Sequence, residues 1–474
     1  MHNRRDQVQA HGFMVGRLVS ALLRAEPDLA RPPLRRSWLG LFIGSLLAAL
    51  VVAGFAVTAV ISPGGATAWR KPGTLILDKQ TGARYVLAAG RLRPVLNYAS
   101  ARLLLGEKLT VDSVTSSSLK DVPRGTPVGI DGAPDALPKA TGEHAPWLVC
   151  ASSAPDASQA RAALSLVIGE AADVRPLSER QAVVVRTTDG TTYLVNQGRR
   201  MRVTAPWVTR ALGFSDDGAL GVRDAWVNTL PAGPDLPQPA VTDRGKAGPK
   251  LDGRPTKLGE VFVVHGTGMA PHLYLLTPDG LQPLTQTGAT LALSDPGTAK
   301  AYDGGTPAAQ ELSTAALASA RVLPSPAWQT QLPAAPPTLG PLAGRMPCVS
   351  VVPGGSRVTP ELVTVPAMPV TGVNTVSDAG GSAAGDADHV ADHVEVAPGA
   401  GLLARSLPAP GVPGAGLYLI TEDGTRFPVG SDDAAGALGY VVSSAVPVPA
   451  GLLALLPGGP VLDVFGRGGD NANP

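Results

Sequence analysis

The densest cluster of metal-binding side chains in this sequence is DADHVADHVE, which brings Asp386, Asp388, His389, Asp392 and His393 together. His389 and His393 are four residues apart, so on a helix both imidazoles would share a face and could grip zinc. The stretch follows GGSAAG in a run with no periodicity. Nothing rigid there would hold a coordination geometry, so acidic decoration of a loop is the preferred reading and no metal is assigned. Nucleotide hydrolysis needs a phosphate cradle. The nearest approach to one is Arg244-Gly245-Lys246-Ala247. Ala240 stands where the first glycine should be, and Ala247 has no hydroxyl to offer magnesium. Ser356 and Ser382 follow glycines, but neither sits in GxSxG. No catalytic or cofactor-binding residue is therefore assigned.

The element that governs any other chemistry is Trp38–Ile61, WLGLFIGSLLAALVVAGFAVTAVI, a run of 24 uncharged residues. As a helix it is about 36 Å long, against a hydrocarbon core of about 30 Å. A cleaved signal peptide is the alternative. Its apolar region would be shorter, nearer the start and followed by a small-x-small site, whereas this run ends in Ser-Pro-Gly-Gly. A retained membrane span is expected. Arg31, Arg35 and Arg36 lie just ahead of it, and no charge follows until Arg70 and Lys71. The positive-inside rule then keeps the N-terminus in the cytoplasm and sends the rest across.

On the far side a lone cysteine pair is most simply a disulfide. Cys150 lies in WLVCAS and Cys348 in PCVSVV, both strand-like. Such a bridge would close a very long loop and contribute about 2–4 kcal/mol. Two separate buried thiols are the alternative; a metal site is disfavoured, since neither cysteine has a CxxC partner or a neighbouring His.

The cytoplasmic arm, residues 1–37, carries Val8, Val15, Leu18 and Leu22 at helical spacing, with Met14, Val19 and Leu23 widening the stripe and Pro27 stopping it. A helix this short is marginal alone in water. Either the inner membrane surface or a partner protein must cover the stripe. Formal net charge is +1, so no global field draws the chain to nucleic acid.

Beyond the span, hairpins joined by Gly-containing turns occur four times. They are Leu75–Leu87, Val183–Val195, Leu273–Leu284 and Leu417–Val429. Each is followed by a short helical patch and then a hydrophobic-Pro stop, at Pro123, Pro231, Pro324 and Pro457. Turn glycine to stop proline measures 41, 41, 44 and 33 residues. The expected fold class is α+β, with a central mainly-β domain and four degenerate α/β repeats. Repeats are placed at 62–140, 189–245, 273–335 and 416–474, and the central domain at 141–188, 246–272 and 336–415. Pro231–Pro255 and Thr371–Gly399 read as linkers, the second as a disordered loop. Trp147, Trp207, Trp226 and Trp328 read as core anchors rather than ligand platforms.

Over nearly its full length the chain resembles the EccB family, a membrane subunit of the type VII (ESX) secretion systems of actinobacteria. The resemblance is carried by RDQVQAHGFMVGRLVSALLRAEPD, RRSWLGLFIG, WRKPGTLILDKQTGARYVL, LRPVLNYASARLLLG and VPRGTPVGIDGAPDALP. It is weakest over residues 365–400. The resemblance implies an inner-membrane complex with EccC, EccD and EccE, contacts between EccB copies outside the membrane, and docking of the arm on partner subunits in preference to the lipid surface, with membrane lipid an expected partner of the chain as a whole. It also brings an attributed ATPase activity, for which the residues supply no nucleotide motif. A structural subunit is therefore the leading expectation. An ATPase or other hydrolase of the same system is the alternative, and a glycan-binding envelope module is disfavoured by the low aromatic content of 4%.

Overall fold

The computed structural model describes residues 4–24, 34–61, 68–139, 145–152, 162–215, 218–237, 241–266, 268, 270–355, 358–367, 390–409, 412, 414 and 416–465. The chain divides into two units: Met1–Leu92 with Thr110–Arg124, and Arg93–Leu109 with Gly125–Pro474.

The first unit begins with two helices, α1 (Arg4–Arg24) and α2 (Leu34–Ile61). On α1, Val8, Val15, Leu18 and Leu22 are all exposed. On α2 every described side chain from Trp38 to Gly54 is exposed. Among the described residues no helix is long and apolar enough to cross a membrane. The described side chains of α2 cover only about 26 Å of rise.

Strands follow: β1 (Thr74–Asp78), β2 (Arg84–Ala88), β3 (Arg91–Pro94, only its start in this unit) and β4 (Thr110–Val114). Their order is β3-β2-β1-β4, with β2 antiparallel to β1 and β4 parallel to it. Trp69, Ile76, Leu92, Val114 and Leu119 form the core of this unit. Asp78 sits inside it and accepts from Ser116 Oγ and the Gln80 N–H, which hold its carboxyl below the usual range.

The second unit opens with α3 (Tyr98–Leu105), started by Asn97, whose side chain accepts from the Ser100 N–H. Then come β5 (Trp147–Ser152), β6 (Ala163–Ile168) and β7 (Arg175–Pro176). A four-strand set follows: β8 (Gln181–Arg186), β9 (Thr192–Asn196), β10 (Arg199–Val203), α4 (Trp207–Ala211), β11 (Leu220–Gly221) and α5 (Asp224–Asn228). The next is β12 (Val261–Val264), β13 (His272–Thr277), β14 (Gly280–Leu284), α6 (Gln286–Ser294), β15 (Gln310–Glu311) and α7 (Thr314–Ser319). After β16 (Thr338–Leu339), β17 (Arg345–Val351), β18 (Glu361–Pro366) and β19 (His393–Val396) comes the last set. It comprises β20 (Leu402–Leu407), β21 (Leu417–Ile420), β22 (Arg426–Val429), α8 (Asp432–Leu438), β23 (Val446–Pro449) and α9 (Ala450–Leu453).

These later sets share one strand order, β10-β9-β8-β11, β14-β13-β12-β15 and β22-β21-β20-β23, which is also the order in the first unit. In each, the strand after the helix runs parallel to the first strand. The four Gly-turn hairpins do not occupy one corner of this plan. Leu75–Leu87 and Val183–Val195 join the first and second strands, whereas Leu273–Leu284 and Leu417–Val429 join the second and third.

The corner missed in the first two sets is turned by Ala89-Gly90 and Gln197-Gly198, all four residues at positive φ. Neither pair is Asn-Gly or Asp-Gly, so neither stands out in the sequence. Measured from that corner, Pro123 follows Gly90, Pro231 follows Gly198 and Pro457 follows Gly424 by the same 33 residues. Each proline carbonyl accepts from the second residue after its glycine: Leu92 N at 2.9 Å, Arg200 N at 3.1 Å and Arg426 N at 2.9 Å. In the third set the acceptor is the Arg321 carbonyl, from Leu281 N at 2.8 Å.

Apart from β16, which pairs with β8, the remaining strands make a six-stranded sheet, β19-β6-β5-β17-β18-β7. The linker expected over Thr371–Gly399 therefore contributes β19, parallel to β6. A four-residue strand was hidden there because its apolar residues, Val394 and Val396, follow a long Gly/Ala/Asp run. Pro231–Pro255 is also ordered where described: Ala232 and Leu236 bridge to β10, and Ala247 bridges to Lys257.

Candidate functional site

The six-stranded sheet is the element to which the rest of the second unit is fastened. Strand β5, WLVCAS, is buried on both faces because its side chains alternate between two cores. Trp147, Val149 and Ala151 face a large cluster with Trp226 of α5 and Leu452 and Leu453 of α9. Leu148 and Cys150 face a smaller one with Met346, Cys348, Val363 and Val365. Cys150 pairs directly with Cys348 across β5 and β17, and the two form a disulfide spanning 198 residues of sequence.

Polar side chains reinforce this clamp. The Trp226 indole N–H donates to the Val149 carbonyl at 3.0 Å, which fixes α5 against the sheet. Arg223, just before α5, is buried and pairs with Asp392 at 2.9 Å. Asp392 also accepts from the Leu164 N–H, so it joins β6 to the segment entering β19. Toward the β18–β7 edge of the sheet Arg345 bonds Asp173 at 2.7 Å and the Thr364 carbonyl at 2.8 Å. The Arg345 guanidinium, followed by that of Arg175, holds the Asp173 carboxyl below the usual carboxylate range.

Helices from different sets also meet. α3 packs on α8, and α4 on α6. At the first of these contacts Ala99 and Leu103 share a core with Leu403, Ala434, Ala435 and Leu438. Arg102 donates to the Ala437 carbonyl, and the Tyr440 hydroxyl donates to the Pro138 carbonyl at 2.7 Å. Sequence reasoning passed over Arg102, Arg223 and Arg345. The signal for the first was available, an arginine inside the apolar helix ASARLLLG.

Asp386, Asp388 and His389 lie outside the described residues, as do Ser356 and Ser382. Asp392 is engaged by Arg223, and His393 belongs to β19. Arg244 pairs with Asp295, and Lys246 with Asp243. Trp147 and Trp226 are fully buried, while Trp207 and Trp328 are half-buried.

A six-stranded, disulfide-clamped sheet carrying small sets of common strand order defines a framework protein whose polar side chains mostly hold strands and helices together. The family profile described as "Type VII secretion system ESX-1, transport TM domain B" matches residues 2–464, and the chain belongs to that EccB family. It is 32% identical over 331 residues to the ESX-1 secretion system ATPase EccB1 of Mycobacterium tuberculosis (strain ATCC 25618 / H37Rv), a match covering 68% of this chain and 66% of that protein. The match thus spans slightly less than two thirds of that relative. The fold is similar to a chain of the intact ESX-5 inner membrane complex, with TM-score 0.68, 27% identity, and coverage of 98% and 94%. A chain of the periplasmic assembly from that complex gives 0.66 and 28%, with coverage of 82% and 92%.

Proposed function

We propose that this chain is the EccB subunit of a type VII secretion inner-membrane complex and serves it as an anchored scaffold. The observation that carries this reading is the likeness, over 98% of the chain, to a chain of the intact ESX-5 inner membrane complex. On this reading α2 is a single membrane span: its helix has 28 residues, of which the 24 from Trp38 onward carry no charge. Arg35 and Arg36 stay on the cytoplasmic side with α1. The five sheets form the extracytoplasmic part, where the Cys150–Cys348 disulfide suits an oxidising compartment.

The four sets of common strand order are degenerate repeats, supported in three of them by the hydrogen bond from the second residue after a turn glycine to a proline carbonyl 33 residues beyond that glycine. Val8, Val15, Leu18 and Leu22 on α1 dock a partner, and EccC, EccD, EccE and a second copy of this chain are the proposed contacts. Affinity purification from native membranes, with identification of the bound proteins, tests the reading. Recovery of the chain with none of these subunits would overturn it.

A second reading, ATP hydrolysis, is favoured by the name of the EccB1 relative. It predicts magnesium-dependent ATP turnover by full-length protein freed of any motor subunit. Turnover that vanishes as the motor subunit is removed would assign the activity elsewhere.

A further inference from the structure

The apolar residues of α1 follow a stricter rule than a general stripe. Val8, Val15 and Leu22 recur every seven residues, and Leu18 falls three after Val15 and four before Leu22. His11 takes the matching place between Val8 and Val15. That is a heptad seam with β-branched Val at two of its three a positions and Leu at a d position, the combination that favours two parallel strands. A polar residue within such a seam, here His11, fixes register at a cost in stability. All five side chains are exposed in the single chain.

Charge decides what covers them. From Gln7 to Leu23 the rims of the seam hold no charge: Gln7, Met14 and Ala21 on one side, Gly12 and Val19 on the other. A helix lying on anionic lipid gains most from cations at those rims, where long side chains reach the headgroups. Arg17 instead stands half a turn away from Val8. A parallel two-stranded seam closes over uncharged rims and brings Met14 of one copy against Val19 of the other.

Chain length fixes the direction. Residues 25–33 join α1 to α2, and nine residues reach at most about 30 Å. With α2 as a membrane span, every copy therefore presents α1 at the same membrane face and in the same sense. Three heptads are marginal alone in water, but tethering beside a neighbouring span raises the effective concentration. We infer that α1 pairs with α1 of a second copy of this chain as a parallel two-stranded coiled coil, an inference that rests on the proposed membrane-span reading of α2.

Cys150 and Cys348 are bonded to each other and are the chain's two cysteines, so one cysteine added to α1 reports its own neighbour. Val15→Cys, Leu18→Cys and Leu22→Cys, with Phe13→Cys and Arg17→Cys facing away from the seam, are each made in the full-length chain. Native membranes are washed with carbonate and oxidised with copper phenanthroline. Disulfide-linked pairs of the chain are expected from the three seam variants and not from the other two. Val15→Lys combined with Leu22→Cys should lose the pair, because each copy then places a charge in the seam. Equal cross-linking at all positions, no pair from a chain that withstands the wash, or seam cysteines linked only to other proteins would each overturn the coiled coil. A chain released by the wash would instead overturn the membrane-span reading, and the pairing with it.

Discussion

Arg102 on α3 donates its Nε–H to the carbonyl of Ala437, 2.9 Å away at the C-terminal end of α8 and 335 residues further along the chain. The end of a helix leaves carbonyls without intrahelical partners and carries partial negative charge. A guanidinium from another element satisfies both needs at once. The same side chain fills the space beside Gly439, the left-handed residue that closes α8.

Replacing Arg102 by Met, which keeps much of the aliphatic stem, should therefore destabilise the second unit by about 1–3 kcal/mol. Denaturant unfolding of the full-length chain followed by tryptophan fluorescence measures this. An unchanged midpoint would mean that water satisfies the Ala437 carbonyl equally well.

The disulfide joins strands that also pair through their backbones, Cys150 opposite Cys348. The double variant Cys150→Ser/Cys348→Ser should fold, because the six-stranded sheet retains its ladder, but lose about 2–4 kcal/mol. The wild-type chain under reducing conditions should show the same loss. Retention of full stability in both would remove the clamp from the account of the fold.

Leu18 and Leu22 are among the exposed apolar residues of α1, at 62% and 80%. Leu18→Asp/Leu22→Asp should release the chain from a co-purified complex while leaving it in the membrane fraction. Loss from membranes instead would show that α1 contributes to lipid anchoring, and unchanged co-purification would count against a docking role.

Asp173 shows how acid should act. Its carboxyl is held below its ordinary value by Arg345 and then Arg175, so its contribution is present above the unfolded carboxylate range and lost as pH falls through the lowered folded value. Asp173→Asn should lower the thermal midpoint at neutral pH and converge with wild type at strongly acid pH. Midpoint curves that stay parallel down to acid pH would contradict this linkage.

The family resemblance, the uncharged run beginning at Trp38 and the partnership of two lone cysteines were all legible in the sequence. Each depends on local composition, on a count of two, or on motifs read in order. The strand character of WLVCAS was equally legible, since a strand buried on both faces reads as a continuous apolar run.

What the tertiary structure alone decided was register and long-range pairing. The first two Gly-turn hairpins and the last two occupy different corners of one strand plan, because any two-residue corner that tolerates positive φ can turn a hairpin, and Ala89-Gly90 and Gln197-Gly198 do so without Asn or Asp. Strand β19, the Arg223–Asp392 pair and the α3–α8 and α4–α6 contacts were equally hidden. Their partners lie scores to hundreds of residues apart, where side-chain spacing carries no information about which surfaces will meet.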